Sequence, residues 1–432
     1  MIKYYLYRYV LEHLAPFIQS TPISKADWHD NNLALAQTIS LLASHTEGNV
    51  LRKKVKTVNH DFGSLAQISF SHNELILTFA AETILAQHVF KMNFNENIVF
   101  NSSLSSAPDN HKNYYANMHL YADEERESFI NLLSRLNKVN QETIVVSNGS
   151  SECIYHYYRA IKQLYGYHTI ISFNPTFDYQ LFYGDNHNQD EGFEEIKIPL
   201  AGNFGYNYKA LEEAVISHPK STVYLCNPNN PTGLMEDTTE ILRLVQKYPE
   251  TFFLIDEAYA EFDDQHVSVL AEVKNLSNLA VTKTFSKFYG MAGLRLGYLI
   301  ANKAIVELIS SFNSLVNPNI MACEIAIDML NRPSLYDEIY QRNKDNIALV
   351  EHYLDDKGLR YLKSAANFVF VYLGGQYEGL VDYLMAHQIL PARSFPAMLG
   401  WMRVSLVDRL STGYFLYLLD DYLQHQALLL KA

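Results

Sequence analysis

The chain has 432 residues and a formal net charge of −13, with 48% hydrophobic and 19% charged residues. This composition is typical of a globular protein with a sizeable core, and the length favours two or three domains. The acidic balance argues against a surface that coats nucleic acid, and no stretch approaches the roughly 20 apolar residues of a membrane span. Three cysteines give no paired framework and no metal-ligand cluster is visible, so we expect a cytoplasmic protein without a metal centre.

The first 95 residues predict a mixed region. Helical patterns cover Tyr4–Leu14 and Ser24–Ser44, and a hairpin follows from Gln67–Phe70 and Leu75–Phe79. Through residue 90, Lys and Arg number seven and so do Asp and Glu. A DNA-binding domain needs an excess of positive charge, so a net charge of zero argues against one here. Residues 1–95 are therefore interpreted as an accessory α+β region of unknown role.

A candidate anion site follows the next helix and strand. An amphipathic helix begins at Asp123, and Thr143–Ser147 predicts a strand. The turn Asn148-Gly149-Ser150-Ser151-Glu152 then leads into a helical run. Exposed N–H groups and the positive end of a helix favour a phosphate, so Ser150 and Ser151 are candidate ligands.

Three polar clusters come after short, nearly all-apolar segments. The segments at 222–226, 251–253 and 276–281 are typical of strands buried on both faces of a parallel sheet. Because ligands bind at the carboxyl ends of such strands, one crevice is predicted to collect Asn230, Asp256, Tyr259 and Lys287. A lysine in a partly desolvated pocket can lose its proton and form a Schiff base with a carbonyl group.

The C-terminal part predicts three helical runs, at 304–315, up to 330 and at 335–354, and then a strand at 367–372. Two arginines follow, each in or near a short strand: Arg393 after Ile389–Ala392, and Arg403 within Trp401–Ser405. A planar guanidinium suits a carboxylate or a phosphate. A surface ion pair is the alternative interpretation for Arg393.

The motifs N-P-x-N-P-T-G, D-E-A-Y and S-K-x(7)-R resemble, in order and spacing, those of the fold-type I pyridoxal-phosphate (PLP) aminotransferases. The resemblance is strongest to the histidinol-phosphate aminotransferase branch and its relative threonine-phosphate decarboxylase, and it covers about residues 96 to 410. It implies an α/β fold whose large PLP-binding domain, residues 123–317, holds a mostly parallel seven-stranded sheet. It also implies a smaller α/β domain at 318–432, and an arm at 96–122 that contributes to it and to a homodimeric site.

The resemblance implies pyridoxal 5'-phosphate as the cofactor and gives the polar residues roles. Lys287 would bind the cofactor covalently and act as general base, Asp256 would pair with the ring nitrogen, and Tyr259 would complete the catalytic set. Asn230 would bind the phenolic oxygen with Tyr259, and Phe177 would lie over the ring. The phosphate would be held by a set of polar side chains, the last from the neighbouring subunit: Ser150, Ser151, Thr284, Ser286, Arg295 and Tyr121.

For the substrate, the resemblance implies that Arg403 and Asn230 line the pocket and that Arg393 grips a distal phosphate. Family members carry an Asn-x-Asn-Glu-type motif in the arm. At Val99–Leu104 serines replace its second asparagine and its glutamate, so the amino donor is left open.

We therefore predict amino transfer between an amino acid or phosphorylated amino alcohol and a 2-oxo acid such as 2-oxoglutarate. Decarboxylation at Cα, as in threonine-phosphate decarboxylase, is the alternative within PLP chemistry, because the outcome depends on which Cα bond aligns with the ring. A PLP-sensing regulator is disfavoured by the neutral charge of residues 1–90, and a pseudo-enzyme by the intact Lys287–Asp256 pair. The expected partners are small molecules and a second copy of the chain, with neither nucleic acid nor membrane.

Overall fold

The computed structural model of the chain describes short backbone segments at 50–53, 59–61, 66–71 and 74–79, and residues 90–96, 124–177, 192–312 and 318–429. The helices predicted at Tyr4–Leu14 and Ser24–Ser44, the segment Val99–Leu104 and the candidate residue Tyr121 lie outside the described residues.

The described elements alternate between strands and helices through most of the chain. The strands are β1 (Val50–Lys53), β2 (Asn59–Asp61), β3 (Ala66–Ser71), β4 (Glu74–Phe79), β5 (Phe90–Lys91), β6 (Ile144–Ser147), β7 (Thr169–Asn174), β8 (Glu194–Pro199), β9 (Ser221–Cys226), β10 (Phe252–Asp256), β11 (Leu279–Thr284), β12 (Gly297–Ile300), β13 (Tyr361–Leu362), β14 (Phe368–Tyr372), β15 (Ile389–Leu390) and β16 (Trp401–Ser405). The helices are α1 (Glu124–Asn137), α2 (Ser150–Tyr165), α3 (Tyr208–Ser217), α4 (Thr238–Lys247), α5 (Lys303–Phe312), α6 (Ile320–Leu330), α7 (Pro333–Asp356), α8 (Tyr377–Ala386) and α9 (Arg409–Leu429).

The larger compact unit comprises Phe94–Gly375 and Ala392–Asp408 and is built on a seven-stranded sheet. The strand order is β6-β12-β11-β10-β9-β7-β8, and the pairs from β11 to β8 are parallel. Only β12 runs antiparallel to its neighbours β11 and β6. The predicted α/β fold with a mostly parallel seven-stranded sheet is confirmed. Parallel strands covered on both faces account for the apolar runs of the sequence, since β9, β10 and β11 are buried throughout.

Helices cover both faces of this sheet. Along β10, Phe253 and Ile255 join the apolar cluster that includes α1, α3, α4 and α6. Leu254, which points the other way, joins the cluster of α2 and α5. Burial of each such side chain contributes about 1.5–3 kcal/mol. The two layers hold the sheet rigid, so the loops at its carboxyl edge stand on a fixed support.

One strand departs from the apolar pattern. The apolar run was predicted to end at Val281, but β11 continues through buried Lys283 to Thr284. The Nζ atom of Lys283 lies 3.1 Å from Glu257 Oε2 and 2.9 Å from Glu261 Oε1. Burial alone would raise the pKa of Glu257, but the charge of Lys283 and further contacts hold it at about 2. Because these charges are compensated, a strand with a lysine in its middle remains in the core.

A second, three-stranded antiparallel sheet in the same unit has the order β13-β14-β16. Its aromatic residues pack tightly: the ring centroids of Phe370 and Trp401 are 5.1 Å apart and stacked. Arg403 on β16 pairs in register with Phe370 on β14. This sheet therefore holds Arg403 on regular, buried backbone.

The other compact unit comprises Met1–Asn93, Gln376–Pro391 and Arg409–Ala432. Its four-stranded antiparallel sheet has the order β1-β4-β3-β2, in which β3 and β4 form the predicted hairpin. β5 pairs in parallel with β15, and α8 packs on α9 with the rings of Tyr383 and Tyr422 5.5 Å apart. None of the helices in the described residues, α9 included, has the length and apolar character to cross a membrane. The four-part domain division expected from the sequence stays a prediction.

The buried charge cluster of β11 makes a testable prediction. Lys283→Met leaves Glu257 as a buried charge without its main counter-charge, so we expect unfolding to become easier by about 3–5 kcal/mol. The exposed Lys344, 3.6 Å from Asp264, provides the matched control, and Lys344→Met should change stability by less than about 0.5 kcal/mol. Urea unfolding followed by circular dichroism measures both. Equal stability of the two variants would contradict the compensation argument.

Candidate active site

Five polar side chains meet at the carboxyl edge of the large sheet. Asp256 is the last residue of β10, Asn230 and Tyr259 lie in the loops after β9 and β10, and Lys287 lies just beyond β11. Arg403 reaches the same place from β16. The sequence had predicted that the first four would converge, and the structure brings them together as the contacts below describe.

A chain of hydrogen bonds orients Tyr259. Arg403 Nη1 donates to Asn230 Oδ1 over 2.7 Å, and because a guanidinium only donates, this contact determines the orientation of the Asn230 amide. Asn230 Nδ2 then donates to the Tyr259 hydroxyl over 3.3 Å, and Asn95 Nδ2 donates to the same oxygen over 3.1 Å. With both acceptor positions of this oxygen used, its own proton can be donated into the site. Tyr259 is thus prepared to hydrogen-bond an anionic oxygen.

Lys287 is a half-buried lysine with a weakened hold on its proton. Its Nζ donates to the carbonyl oxygen of Phe94 over 2.6 Å and lies 5.9 Å from the centroid of the Tyr259 ring. The pKa of Lys287 is lowered to about 7, first by burial and then by the nearby charges of Arg403 and Arg295, which outweigh the opposite effect of Glu96 and Asp256. A large fraction of the amine is therefore neutral near pH 7. A nucleophile or general base needs that state.

Asp256 is a carboxylate kept almost entirely from water. It is 1% exposed, and its oxygens accept hydrogen bonds from the Ala258 N–H over 3.2 Å and the Tyr224 hydroxyl over 2.8 Å. Burial raises the pKa of Asp256 to about 6, while these two hydrogen bonds favour the charged form. At neutral pH the group is an anion, suited to pairing with a protonated ring nitrogen.

The turn before α2 and the side chain of Arg295 form a cradle of hydrogen-bond donors. Arg295 Nη2 lies 3.3 Å from the carbonyl oxygen of Asn148, and Nη1 lies 3.3 Å from Ser286 Oγ. Gly149 has a φ of 90°, and a Cβ atom there would lie 2.5 Å from Arg295 Nη2. A guanidinium beside the positive end of a helix is stabilised when an anion lies between the two. The cradle, with the buried Ser150 at the start of α2, therefore fits a phosphate group.

The remaining hydroxyls of the predicted phosphate set differ in their surroundings. Ser151 is buried in the first turn of α2. The Thr284 hydroxyl instead accepts the N–H of Ser286 over 3.1 Å and lies 3.5 Å from the carbonyl oxygen of Leu296. Thr284 thus shapes the turn that presents Ser286. Its predicted contact with a phosphate stays a prediction, as does that of Tyr121.

A cavity of about 310 Å³ is lined by Phe177, Arg393 and the Tyr224 side chain that hydrogen-bonds Asp256, among others. Arg393 is exposed, whereas Arg403 is buried. Burial lowers the pKa of Arg403 to about 10, and the positive charge of Arg393 lowers it too, while Tyr259 raises it. The two arginines therefore lie close enough to repel each other. An anionic group bound near them would relieve that repulsion.

Asn95, which is 1% exposed, is a residue of the site that the sequence motifs did not predict. Besides its contact with Tyr259, its Oδ1 accepts from Ser405 Oγ over 2.5 Å and its carbonyl oxygen accepts from Asn367 Nδ2 over 3.0 Å. Residues 93–96 read Asn-Phe-Asn-Glu. The Asn-x-Asn-Glu pattern sought at 99–104 is therefore intact slightly upstream, and a boundary at residue 95 divides it. The pattern itself was the signal that could have located this residue.

Both the sequence and the fold of the chain are similar to those of known proteins. The chain matches the family "Aminotransferase class I and II" over residues 91–417. It is 31% identical to a histidinol-phosphate aminotransferase of Lactiplantibacillus plantarum over 66% of this chain and 78% of that protein. A solved structure of a putative histidinol-phosphate aminotransferase from Erwinia carotovora atroseptica superposes with a TM-score of 0.71 at 26% identity, covering 78% of this chain and 97% of that one. The L-threonine-O-3-phosphate decarboxylase of Porphyromonas gingivalis shares the fold, with a TM-score of 0.64 at 22% identity, over 78% of this chain and 100% of that one.

The electrostatics of Lys287 can be tested by chemical labelling. Acylation of the Lys287 amine in the cofactor-free protein should show a midpoint near pH 7, because burial and two arginines disfavour its charged form. Arg403→Met removes one of these positive charges and should move the midpoint to higher pH. Mass spectrometry of the labelled peptides gives both curves. Lys344, whose pKa is raised by its contact with Tyr340, is the internal reference, and a Lys287 curve that overlays it would contradict this account.

Proposed function

We propose that this chain, which belongs to the aminotransferase class I and II family, moves an amino group between a phosphorylated amino alcohol or amino acid and a 2-oxo acid such as 2-oxoglutarate. The family is PLP-dependent and the chain is a PLP-dependent aminotransferase, so the proposal concerns its substrates and the roles of its residues. The observation that carries it is one site with a partly neutral amine at Lys287, a buried carboxylate at Asp256 and a buried guanidinium at Arg403.

The residues fit the cofactor at both of its charged ends. The phosphate would lie between the start of α2 and Arg295, with Ser150, Ser151 and Ser286 as donors. Asp256 would pair with the ring nitrogen, and Asn230 and Tyr259 would bind the phenolic oxygen. Bound PLP supplies an electron sink for a bond broken at the substrate Cα. Phe177, which lines the adjoining cavity, would pack on the ring.

Lys287 is the group that would move the proton. Its Nζ can accept a proton when neutral and return it when charged, and a pKa of about 7 makes both states accessible at neutral pH. The Phe94 carbonyl oxygen, 2.6 Å away, holds the amine by accepting one of its hydrogens. As pH falls below about 7 the amine becomes charged, so proton removal should slow on the acid side.

The two arginines favour substrates with anionic groups. Arg403 is proposed to bind the carboxylate of the amino acid and of the 2-oxo acid, or the phosphate of a substrate that has no carboxylate. Arg393, exposed beside the cavity, is proposed to bind a distal phosphate or carboxylate. The Lactiplantibacillus plantarum relative is a histidinol-phosphate aminotransferase and the Erwinia structure is a putative one, which supports an amine that carries a phosphate ester. Their sequences also favour transfer over decarboxylation, since the decarboxylase is similar in fold alone.

A second copy of the chain is part of the proposal. Tyr121 is expected to reach the cofactor phosphate of a neighbouring subunit, as the family resemblance implies, and small molecules are the remaining partners. A cytoplasmic location stays an expectation from the composition.

The reaction is tested by mixing the purified protein with histidinol phosphate and 2-oxoglutarate. One glutamate should form for each molecule of amine consumed. Lys287→Ala should reduce the rate by a factor of about 10² to 10⁴ or more, because the general base is lost. Lys344→Ala is the control, since its amine is exposed and distant in sequence from the motif residues. Release of CO₂ from O-phosphothreonine without glutamate formation would contradict amino transfer and favour decarboxylation.

The role of Arg393 is tested by substrate preference. Arg393→Ala should raise KM for phosphorylated or acidic substrates about tenfold to a hundredfold, which is the range for losing a hydrogen bond to a charged group, and should leave neutral amines nearly unchanged. Arg360→Ala is the matched control, because Arg360 is also exposed but packs over Phe204 and Trp401. An equal loss for charged and neutral substrates would refute a selectivity role.

A further inference from the structure

The apolar strand β9 contains one side chain that touches the buried carboxylate of the site. Tyr224 is 3% exposed and lies opposite Leu254 in the register between β9 and β10. Its hydroxyl donates to Asp256 Oδ2 over 2.8 Å, and the Ala258 N–H donates to Oδ1 over 3.2 Å. Each carboxylate oxygen therefore has its own donor, and the two contacts together fix the plane of the group.

We infer that Tyr224 is a positioning residue, which holds Asp256 in its charged form and aims it at the ring nitrogen of the cofactor. The inference rests on the proposed role of Asp256. Tyr224 also lines the cavity that Phe177 lines, so the same side chain contacts Asp256 and forms part of the wall of that cavity. A donor behind a reactive group fixes its orientation and tunes its basicity, as is common for groups that hold a cofactor or a metal.

Several other titratable groups face Asp256. They come from β9, α2, the loops after β10 and β11, and are Cys226, Cys153, Glu257, Tyr259 and Lys287. Glu257 opposes the charge of Asp256 and Lys287 favours it. Among the contributions that favour the anion, the hydrogen bond from Tyr224 is the largest, ahead of those from Ala258 and Lys287.

The donor is permanent over the working range of pH. Burial raises the pKa of Tyr224 well above its usual value, and the charge of Asp256 raises it further. Tyr224 therefore stays protonated and cannot exchange roles with the carboxylate. Removing the hydroxyl takes away one hydrogen bond to the charged form, so the pKa of Asp256 must rise above its present value near 6.

This rise has a consequence for cofactor affinity. Where the ring nitrogen of free PLP already carries a proton, its pair with Asp256 would hold that one proton, so a protein whose Asp256 is also protonated would have to release a proton on binding PLP. Affinity therefore falls as pH decreases through the pKa of Asp256 in the cofactor-free protein. A higher pKa of Asp256 moves this fall in affinity to higher pH, so an upward shift is the predicted direction.

The test is a binding titration with the full chain, freed of cofactor. PLP and 1-deazapyridoxal phosphate, which has C–H in place of the ring nitrogen, are titrated from about pH 5 to 8.5 and followed by absorbance, and the ratio of the two Kd values is compared. Both ligands carry the phosphate and react with Lys287, so the pH dependence that comes from these two groups cancels in the ratio of the Kd values. For Tyr224→Phe we expect the PLP curve to move upward in pH and the ratio near pH 6 to change by about three- to tenfold, since one pKa unit corresponds to tenfold.

Tyr206→Phe is the matched control. Tyr206 is also buried, and its hydroxyl donates to the carbonyl oxygen of Cys226 over 2.5 Å rather than to Asp256. This variant should give the wild-type ratio at every pH. Tyr224→Leu provides a second variant without the hydroxyl, should the phenylalanine variant not fold.

Asp256→Asn separates the two ways in which the inference can fail. If it weakens PLP but not the deaza compound while Tyr224→Phe overlays Tyr206→Phe, the role of Tyr224 is overturned and that of Asp256 stands. If Asp256→Asn keeps the wild-type ratio, both roles fall together. A shift in Tyr224→Phe alone, with Tyr206→Phe unchanged, supports the inference.

Discussion

Burial of Asp256 at the end of β10 is the constraint on which the rest of the site depends. A carboxylate that is 1% exposed remains charged only if the surrounding groups replace the water that it has lost. Two hydrogen bonds hold its oxygens, and parallel pairing with β9 and β11 holds its backbone. The sheet thus holds the Asp256 carboxylate in one orientation at the edge where Lys287 and Tyr259 lie.

The cations of the site respond to the same low-polarity surroundings. Burial lowers the pKa values of both Lys287 and Arg403. The charge of Arg393 lowers the pKa of Arg403 further, and the charges of Arg403 and Arg295 lower that of Lys287. The result is a site that is rich in positive charge and has a partly neutral amine. Such a site favours anionic ligands, which fits both the phosphate of the cofactor and the phosphorylated or dicarboxylic substrates that we propose.

Much of this could be predicted from the sequence because the motif residues directly follow the strands that position them. Asp256 and Lys287 come at the ends of apolar runs, so a parallel sheet was enough to bring them together. Contacts across long separations could not be predicted in this way. Asn95 and Ser405 are 310 residues apart, and Tyr224 stands within an apolar strand where its hydroxyl gives no periodic signal.

Lys283 is a second residue whose placement the sequence did not predict. A lysine ordinarily indicates the end of a buried strand, but Glu257 and Glu261 lie at 3.1 and 2.9 Å and compensate its charge in the core.

The most direct test of the proposed site is to trap the cofactor by borohydride reduction of the purified protein and to map the modified peptide by mass spectrometry. We predict that the pyridoxal phosphate adduct lies on Lys287. An adduct on another lysine, or a protein that gains no adduct, would contradict it.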